Sequence, residues 1–211
     1  MRFVDEYRAP EQVMQLIAHL NERAQLLPYS AKRPLRVMEV CGGHTHAIFK
    51  FGLDQLLPEN IEFIHGPGCP VCVLPMGRID TCVEIASHPD VIFCTFGDAM
   101  RVPGKNGSLL QAKARGSDVR IVYSPLDALA LAQQNPQRKV VFFGLGFETT
   151  MPATAITLQQ AKLHDVSNFF FFRQHITLIP TLRSLLEEPD NGIDALLAPG
   201  HVSMVIGTDA Y

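Results

Sequence analysis

The sequence predicts an α/β protein in which parallel sheets are covered by helices on both faces. Short apolar runs with the composition of buried strands alternate with segments of helical length from residue 35 onward. Parallel strands need a long crossover connection, usually a helix, so this alternation favours parallel pairing. Polar or glycine-rich loops follow most of the predicted strands. Open α/β sheets bind ligands beyond the carboxyl ends of their strands, so these loops are the candidate sites.

The predicted elements follow the chain in a regular order. A helix over residues 11–27 comes first, because apolar residues recur at helical spacing and Pro28 ends it. Apolar runs predict strands at residues 35–40, 61–65, 91–96, 119–123, 139–143, 168–172 and 194–198. The intervening segments predict helices at residues 45–57, 77–87, 108–114, 125–134, 152–163 and 181–186. Pro58 and Pro89 mark the ends of two of them.

A weak internal repeat divides the chain into two similar units. The first three strands end at Cys41, His65 and Gly97, and the last three end at Gly144, Arg173 and Pro199. The offsets are roughly 100 to 110 residues. We therefore expect an N-terminal helix and linker at 1–34, a first α/β unit carrying the thiol loops at 35–136, and a second unit at 137–211. The two units would face a cleft, and the second is expected to be incomplete because it has fewer strands.

The composition is that of an ordinary globular protein. The 211 residues are 47% hydrophobic and 18% charged, with a formal net charge of -3. Basic residues are scattered, which argues against a nucleic-acid partner. No apolar stretch reaches the ~18 residues of a membrane span, and the N-terminus lacks the pattern of a signal peptide. We therefore expect a cytoplasmic protein with no membrane partner, whose cysteines are thiols by default.

The first candidate site is the Cys-x-x-Cys of Cys69 and Cys72, in a loop stiffened by glycine and proline. At this spacing one thiol can stabilise the thiolate of its neighbour, and the pair can close to a disulfide. They can also supply two ligands to a tetrahedral metal. The alternative is a pair of small buried hydrophobic residues in a tight turn.

The second candidate site is Cys41, which is followed by Gly42, Gly43, His44 and Thr45. Cysteine and histidine are good ligands for iron and late transition metals, and the glycines allow a bulky ligand to approach the backbone. A helix that begins near Thr45 would attract anions at its N-terminus. The alternative is a glycine-rich turn with a helix-capping threonine.

Together, Cys41, Cys69 and Cys72 would make a three-thiol site that leaves positions open on a metal. Cys82 falls in a predicted helix and Cys94 in an apolar strand, so both are predicted to be buried core thiols.

Further polar residues follow other predicted strands. Glu148 with Thr149 and Thr150 could cap a helix, or Thr149 or Thr150 could bind a ligand, and both interpretations stay open. Asp98, His175 and His201 each follow an apolar strand, where a structural role is the commoner one. Around a cleft they could relay protons or support the thiols.

Five motifs in order resemble the HypD family of hydrogenase maturation factors. They are residues 41–46 (CGGHTH), 66–72 (GPGCPVC), 97–104 (GDAMRVPG), 146–150 (GFETT) and 199–203 (PGHVS). The resemblance covers almost the whole chain. It implies a scaffold for the iron group of nickel–iron hydrogenases, on which iron acquires two cyanides and one carbon monoxide. It also implies two partners, a HypC-type chaperone that shares the iron and a HypE-type cyanide donor.

The resemblance assigns roles to the candidate residues. Cys41 would be the principal iron ligand, Cys69 and Cys72 the redox-active pair and further iron contacts, and His44 a neighbour of the iron. Glycine-turn amides at Gly42 and Gly43 could hold anionic cyanide.

In one respect the chain departs from the family. The family continues into a cysteine-rich C-terminal region that holds a [4Fe-4S] cluster, whereas this chain ends at Tyr211. We therefore expect that this chain does not bind the cluster. Two alternatives to the scaffold remain open, a stand-alone thiol–disulfide oxidoreductase that uses Cys69 and Cys72, and a zinc-binding module.

Overall fold

The computed structural model describes residues 9–211, which form an α/β fold with two parallel sheets. This confirms the fold class predicted from the sequence. The first eight residues of the predicted N-terminal segment lie outside the described residues. No helix within residues 9–211 is both long and apolar enough to cross a membrane.

The elements alternate along the chain as the sequence predicts. The strands are β1 (Leu35–Glu39), β2 (Ile61–His65), β3 (Val91–Thr95), β4 (Val119–Ile121), β5 (Lys139–Gly146), β6 (Phe169–His175) and β7 (Ala195–Leu197). The helices are α1 (Pro10–Ala24), α2 (Gly42–Phe51), α3 (Leu53–Leu56), α4 (Pro70–Val73), α5 (Met76–Ala86), α6 (Leu109–Ala114), α7 (Pro125–Gln134), α8 (Met151–Leu163), α9 (Leu178–Leu186) and α10 (Gly200–Ile206). Short 3-10 helices follow β3 and β5, at Gly97–Arg101 and Glu148–Thr150.

The first compact unit contains the residues up to Gly68 together with Leu182–Gly200. Its sheet has the order β2-β1-β7, and all three strands are parallel. Glu39, the last residue of β1, lies opposite His65, the last residue of β2. Both strands therefore deliver their following loops to the same edge of the sheet.

The second compact unit contains Cys69–Thr181 and His201–Tyr211. Its sheet has the order β4-β3-β5-β6 and is also parallel. Side chains that alternate along β3 and β5 are buried on the two faces of this sheet, Phe93 and Phe143 on one face and Cys94 and Phe142 on the other. A sheet buried on both faces explains why these strands read as continuous apolar runs.

The two sheets do not correspond to the predicted units 35–136 and 137–211, because each sheet contains strands from both ranges. β7 pairs with β1 in the first sheet, and β5 pairs with β3 in the second. Each half of the chain thus contributes two adjacent strands to one sheet and sends its next strand to the other. The order β2-β1-β7 has the same form as β6-β5-β3, with β4 added at the edge. The topology is therefore consistent with the internal repeat.

Local sequence explains several helix starts. Ser108 and Ser124 each form a capping box, with Gln111 and Asp127 respectively, so the first amides of α6 and α7 are paired. Helix α2 begins at Gly42, three residues earlier than the sequence predicts. The early start makes Cys41 the residue that precedes the helix, and this places its sulfur at the helix N-terminus.

Candidate functional site

Cys41 lies two residues beyond β1 and directly before α2. Its backbone is extended, and its side chain makes no capping hydrogen bond. The thiol is free and half-buried. A Cβ atom at Gly43 would lie 3.6 Å from the Cys41 Sγ, so the sulfur sits over the first turn of α2. The amides and the dipole at a helix N-terminus favour negative charge in this place.

The carboxylate of Glu39 is the centre of the polar contacts around Cys41. Glu39 is 0% exposed, yet its two oxygens have three hydrogen-bond partners. Oε2 accepts from the backbone N–H of Cys41 at 3.1 Å. Oε1 accepts from the Thr45 hydroxyl and lies 2.8 Å from Nδ1 of His65. The carboxylate therefore connects the ends of β1 and β2 with the first turn of α2.

These contacts settle the charge of Glu39. Burial alone would raise the pKa of its carboxyl group. The hydrogen bonds from Thr45, His65 and the Cys41 amide outweigh burial and hold the pKa of Glu39 below its ordinary value. Glu39 is therefore ionised at neutral pH.

Glu39 and His65 were missed as site residues by the sequence analysis, which placed both inside strands. A signal was available for Glu39. It is a charged residue within the apolar run Val37, Met38 and Val40, two residues before Cys41. Charged groups in buried strands are rare unless they are paired.

The glycines after β2 allow a close approach to the Cys41 loop. A Cβ atom at Gly68 would lie 2.4 Å from the Cys41 backbone nitrogen, so any residue other than glycine would overlap the Cys41 backbone here. The Gly42 amide donates to the Gly68 carbonyl at 3.1 Å, and the Gly66 amide donates to the Glu39 carbonyl at 2.8 Å. The GPG sequence of this loop thus has a packing reason within the first unit.

Cys69 and Cys72, in the second unit, are joined by a disulfide. Cys69 precedes α4, and its Sγ accepts a hydrogen bond from the Cys72 amide at 3.3 Å. Cys72 is exposed and Cys69 half-buried. Val71 and Leu74 pack against the core of the second unit, which holds this short helix in place.

Glu148 is buried at 7% exposure, directly after β5 and Phe147. Its Oε1 accepts a hydrogen bond from the Leu178 amide at 2.7 Å. Its Oε2 is buried and has no hydrogen-bond partner among residues 9–211. His175 ends β6 and packs against the ring of Phe171. Burial, and then the charge of Arg173, lower the pKa of His175.

The other predicted site residues lie in different surroundings. Thr149, Asp98 and His201 are exposed, and Asp98 accepts from the adjacent Ala99 amide. His44 lies in the first turn of α2, where its Nδ1 is buried and has no partner in the described chain. Gly42 is half-buried and Gly43 exposed in the same turn.

Cys82 and Cys94 are core residues, as predicted. Each is 0% exposed, and burial raises the pKa of each thiol to about 12. Over residues 9–211, no group of three or more His, Cys, Asp or Glu side chains is arranged to hold a metal ion. Among the free cysteines, Cys41 alone is not buried.

The fold and the site define a class of protein. It is a two-sheet α/β protein with a free cysteine at the carboxyl end of a parallel strand and a separate Cys-x-x-Cys disulfide. A family model named HypD and described as the hydrogenase formation hypA family matches residues 11–211. The chain belongs to the HypD family.

Similar proteins carry the same family name. The hydrogenase maturation factor HypD of Escherichia coli K12 is 89% identical over 211 residues. Those of Rhodobacter capsulatus and Azotobacter vinelandii are 57% and 48% identical over 211 and 217 residues. Each match covers 100% of this chain but only 57%, 56% and 56% of the relative. The chain thus spans a little over half the length of these relatives.

Proposed function

We propose that this chain acts in the maturation of nickel–iron hydrogenases, as a scaffold on which iron receives two cyanides and one carbon monoxide. Membership of the HypD family and the printed names of the relatives support the role in hydrogenase maturation. The free, half-buried thiol of Cys41 at a helix N-terminus is the observation that carries the chemistry. Iron is the substrate of this assembly.

Cys41 is the principal iron ligand in this proposal. A soft thiolate suits iron that carries cyanide and carbon monoxide. The extended backbone places the sulfur over the first turn of α2. The Gly43 amide in this turn is suited to an anionic ligand such as cyanide. The Gly42 amide donates to the Gly68 carbonyl, so Gly42 would contribute the space that its missing side chain leaves for the ligand. His44, in the same turn, has a buried nitrogen with no hydrogen-bond partner within residues 9–211.

Cys69 and Cys72 are the redox pair and further iron contacts in this proposal. Their disulfide takes up two electrons and two protons to become two thiols. The exposed Cys72 gives a reductant access to the bond. Thr149 would bind the ligand group, while Asp98, Glu148 and His201 would relay protons. The partners are a HypC-type chaperone, which shares the iron, and a HypE-type cyanide donor, in the cytoplasm.

The decisive test replaces the proposed ligand. The Cys41→Ala variant and the unaltered chain are each purified without oxygen together with a HypC-type partner, and infrared spectra are recorded. We expect the bands of bound cyanide and carbon monoxide in the unaltered sample and their loss in Cys41→Ala.

Cys94→Ala is the matched control, because it also removes a free thiol but from the core of the second unit. It should keep the bands. Unchanged bands in Cys41→Ala would show that Cys41 is not the ligand.

A second candidate function is thiol–disulfide exchange by Cys69 and Cys72 alone. The exposed disulfide favours it. This function predicts turnover of a generic disulfide substrate by iron-free protein, and loss of turnover in Cys72→Ser. Metal analysis of anaerobically purified protein separates a zinc-binding module from both, since that module would hold zinc and no iron.

A further inference from the structure

The position of Glu39 links three structural elements that surround Cys41. The carboxylate lies at the end of β1 and is fully buried. Its partners come from the Cys41 backbone, from Thr45 in α2 and from His65 at the end of β2. A buried carboxylate is costly unless each oxygen is paired, and here both are paired.

The Cys41 peptide groups are held on both sides. The Cys41 amide has the Glu39 carboxylate as its acceptor. The Cys41 carbonyl accepts from the amides of His44 and Thr45 at 2.8 and 3.1 Å. Without Glu39 the amide would lose its partner, while the carbonyl contacts belong to α2 itself. Glu39 is therefore the contact that connects the backbone of Cys41 to β1 by a side chain.

A neutral side chain replaces this charged acceptor only in part. The three groups around Glu39 are an amide, a hydroxyl and an imidazole nitrogen, and a carboxylate can accept from all three. A glutamine at this position has one accepting oxygen, and its NH2 group fits beside Thr45 and His65 only if these two groups accept instead of donating. Substitution by glutamine therefore keeps the size of the side chain and removes part of the anchoring.

We propose that Glu39, held by Thr45 and His65, is a positioning residue that fixes the Cys41 backbone and thereby keeps the thiol over the first turn of α2. Glu39 does not touch the iron. This inference rests on the proposed function only in naming Cys41 as the reacting thiol. It adds a buried carboxylate, a hydroxyl and an imidazole to the groups that hold Cys41 in position.

The first test measures hydrogen exchange of the Cys41 amide in the iron-free chain by NMR. Glu39→Gln should speed the exchange of this amide by about tenfold, because its hydrogen-bond acceptor is no longer a buried charge. Glu62→Gln is the matched control, because Glu62 is a carboxylate of β2 that pairs with Arg36 at the surface. It should leave the Cys41 amide unchanged. Unchanged protection in Glu39→Gln would overturn the proposal.

The second test measures alkylation of Cys41 at one fixed pH, with Cys69 and Cys72 kept as the disulfide and Cys82 and Cys94 protected by burial. Glu39→Gln should slow the alkylation about two- to fivefold, because the sulfur leaves the favourable field of the helix N-terminus. Removal of a nearby negative charge alone would instead speed the reaction. A faster or an unchanged rate therefore contradicts a positioning role.

Substitutions of Thr45 test the same proposal if the Glu39→Gln variant does not fold. Thr45→Val removes one donor to Glu39 without a change of charge, and Thr45→Ser restores the hydroxyl. Alkylation of Cys41 should slow in Thr45→Val and return toward the original rate in Thr45→Ser, and equal rates in both would overturn the proposal. None of these measurements uses iron. Absent infrared bands would count against the proposed function alone, and a failed exchange test against the role of Glu39 alone.

Discussion

The carboxyl ends of the two sheets have the same framework and different polar groups. Glu39 lies opposite His65 at the ends of β1 and β2, and Gly146 lies opposite His175 at the ends of β5 and β6. Cys41 follows two residues after Glu39. Two residues after Gly146, the corresponding position holds a carboxylate, that of Glu148.

This comparison extends to the next loops. Three residues after His65, Gly68 packs its backbone on Cys41. Three residues after His175, Leu178 donates its amide to the side chain of Glu148. In the first sheet all partners of the carboxylate come from the site itself, and the thiol remains free. In the second sheet the histidine faces a glycine, and one carboxylate oxygen has no partner among residues 9–211. The position two residues after the paired strand end therefore holds a free thiol, Cys41, at the first sheet and a buried carboxylate, Glu148, at the second.

The largest expected effect tests the close packing of Gly68 on the Cys41 backbone at the end of the first sheet. Gly68→Ala should lower the free energy of unfolding by more than about 3 kcal/mol, because the added Cβ would overlap backbone atoms that cannot rotate away. The Cβ would lie 2.4 Å from the Cys41 nitrogen and 2.6 Å from its Cα. Urea unfolding measures the loss.

Gly77→Ala is the matched control for this substitution. Gly77 lies in α5, and a Cβ atom there meets nothing within 4 Å. Alanine should leave the stability unchanged or raise it by up to about 1 kcal/mol. Equal stabilities of the two variants would show that Gly68 does not pack against Cys41 as described.

The next largest effect is the difference in stability loss between substitutions of the two carboxylates, Glu39 and Glu148. Glu39→Gln should lower the free energy of unfolding by about 2–3 kcal/mol, because three donors lose part of a charged, buried acceptor. Glu148→Gln should cost less than about 1 kcal/mol. Within the described part of the chain its carboxylate has one donor, the Leu178 amide, and the oxygen of a glutamine can still accept from this amide.

Urea unfolding of both variants at neutral pH measures this difference. Equal losses, or a larger loss in Glu148→Gln, would mean that the carboxylate of the second sheet is as firmly held as that of the first. The contrast between the two sheet ends would then be wrong.

The fold could be predicted from the sequence because its strands are buried on both faces or flanked by clear breaks. The run 91–96 and the run 139–143 are apolar throughout, and both are strands. Pairing partners could not be predicted, because the composition of β3 and β7 does not say which sheet each strand enters. The division into units therefore differs from the predicted boundaries.

The candidate site was visible in part. The Cys41 and Cys69 loops stand out, because glycine, proline and cysteine together are unusual at a strand end. His65 did not stand out, because a single polar residue in a strand usually faces solvent. The charge of Glu39 within an apolar run was a signal of burial, but it did not say which groups Glu39 would contact. Their contact depends on the register of β1 and β2, which periodicity does not specify.

The smallest expected effect concerns His175 at the end of the second sheet and appears only in acid. Burial, and then Arg173, lower the pKa of His175 in the folded chain, whereas the unfolded chain has the ordinary value of about 6.5. The unfolded state therefore binds more protons as the pH falls below about 6.5. As the pH falls from about 6.5 to the lowered pKa of the folded state, His175 therefore reduces the free energy of unfolding. Well above pH ~6.5 the imidazole is neutral in both states, and His175 causes no such loss.

His175→Gln should remove this part of the pH dependence, and Arg173→Gln should reduce it, because the second cause of the lowered pKa is then absent. The measurement is the difference in unfolding free energy between pH 7.5 and pH 5.5 for each variant. The same difference in His175→Gln as in the unaltered chain would mean that His175 gains its proton as easily when folded. Burial at the end of the second sheet would then not oppose the charging of this histidine.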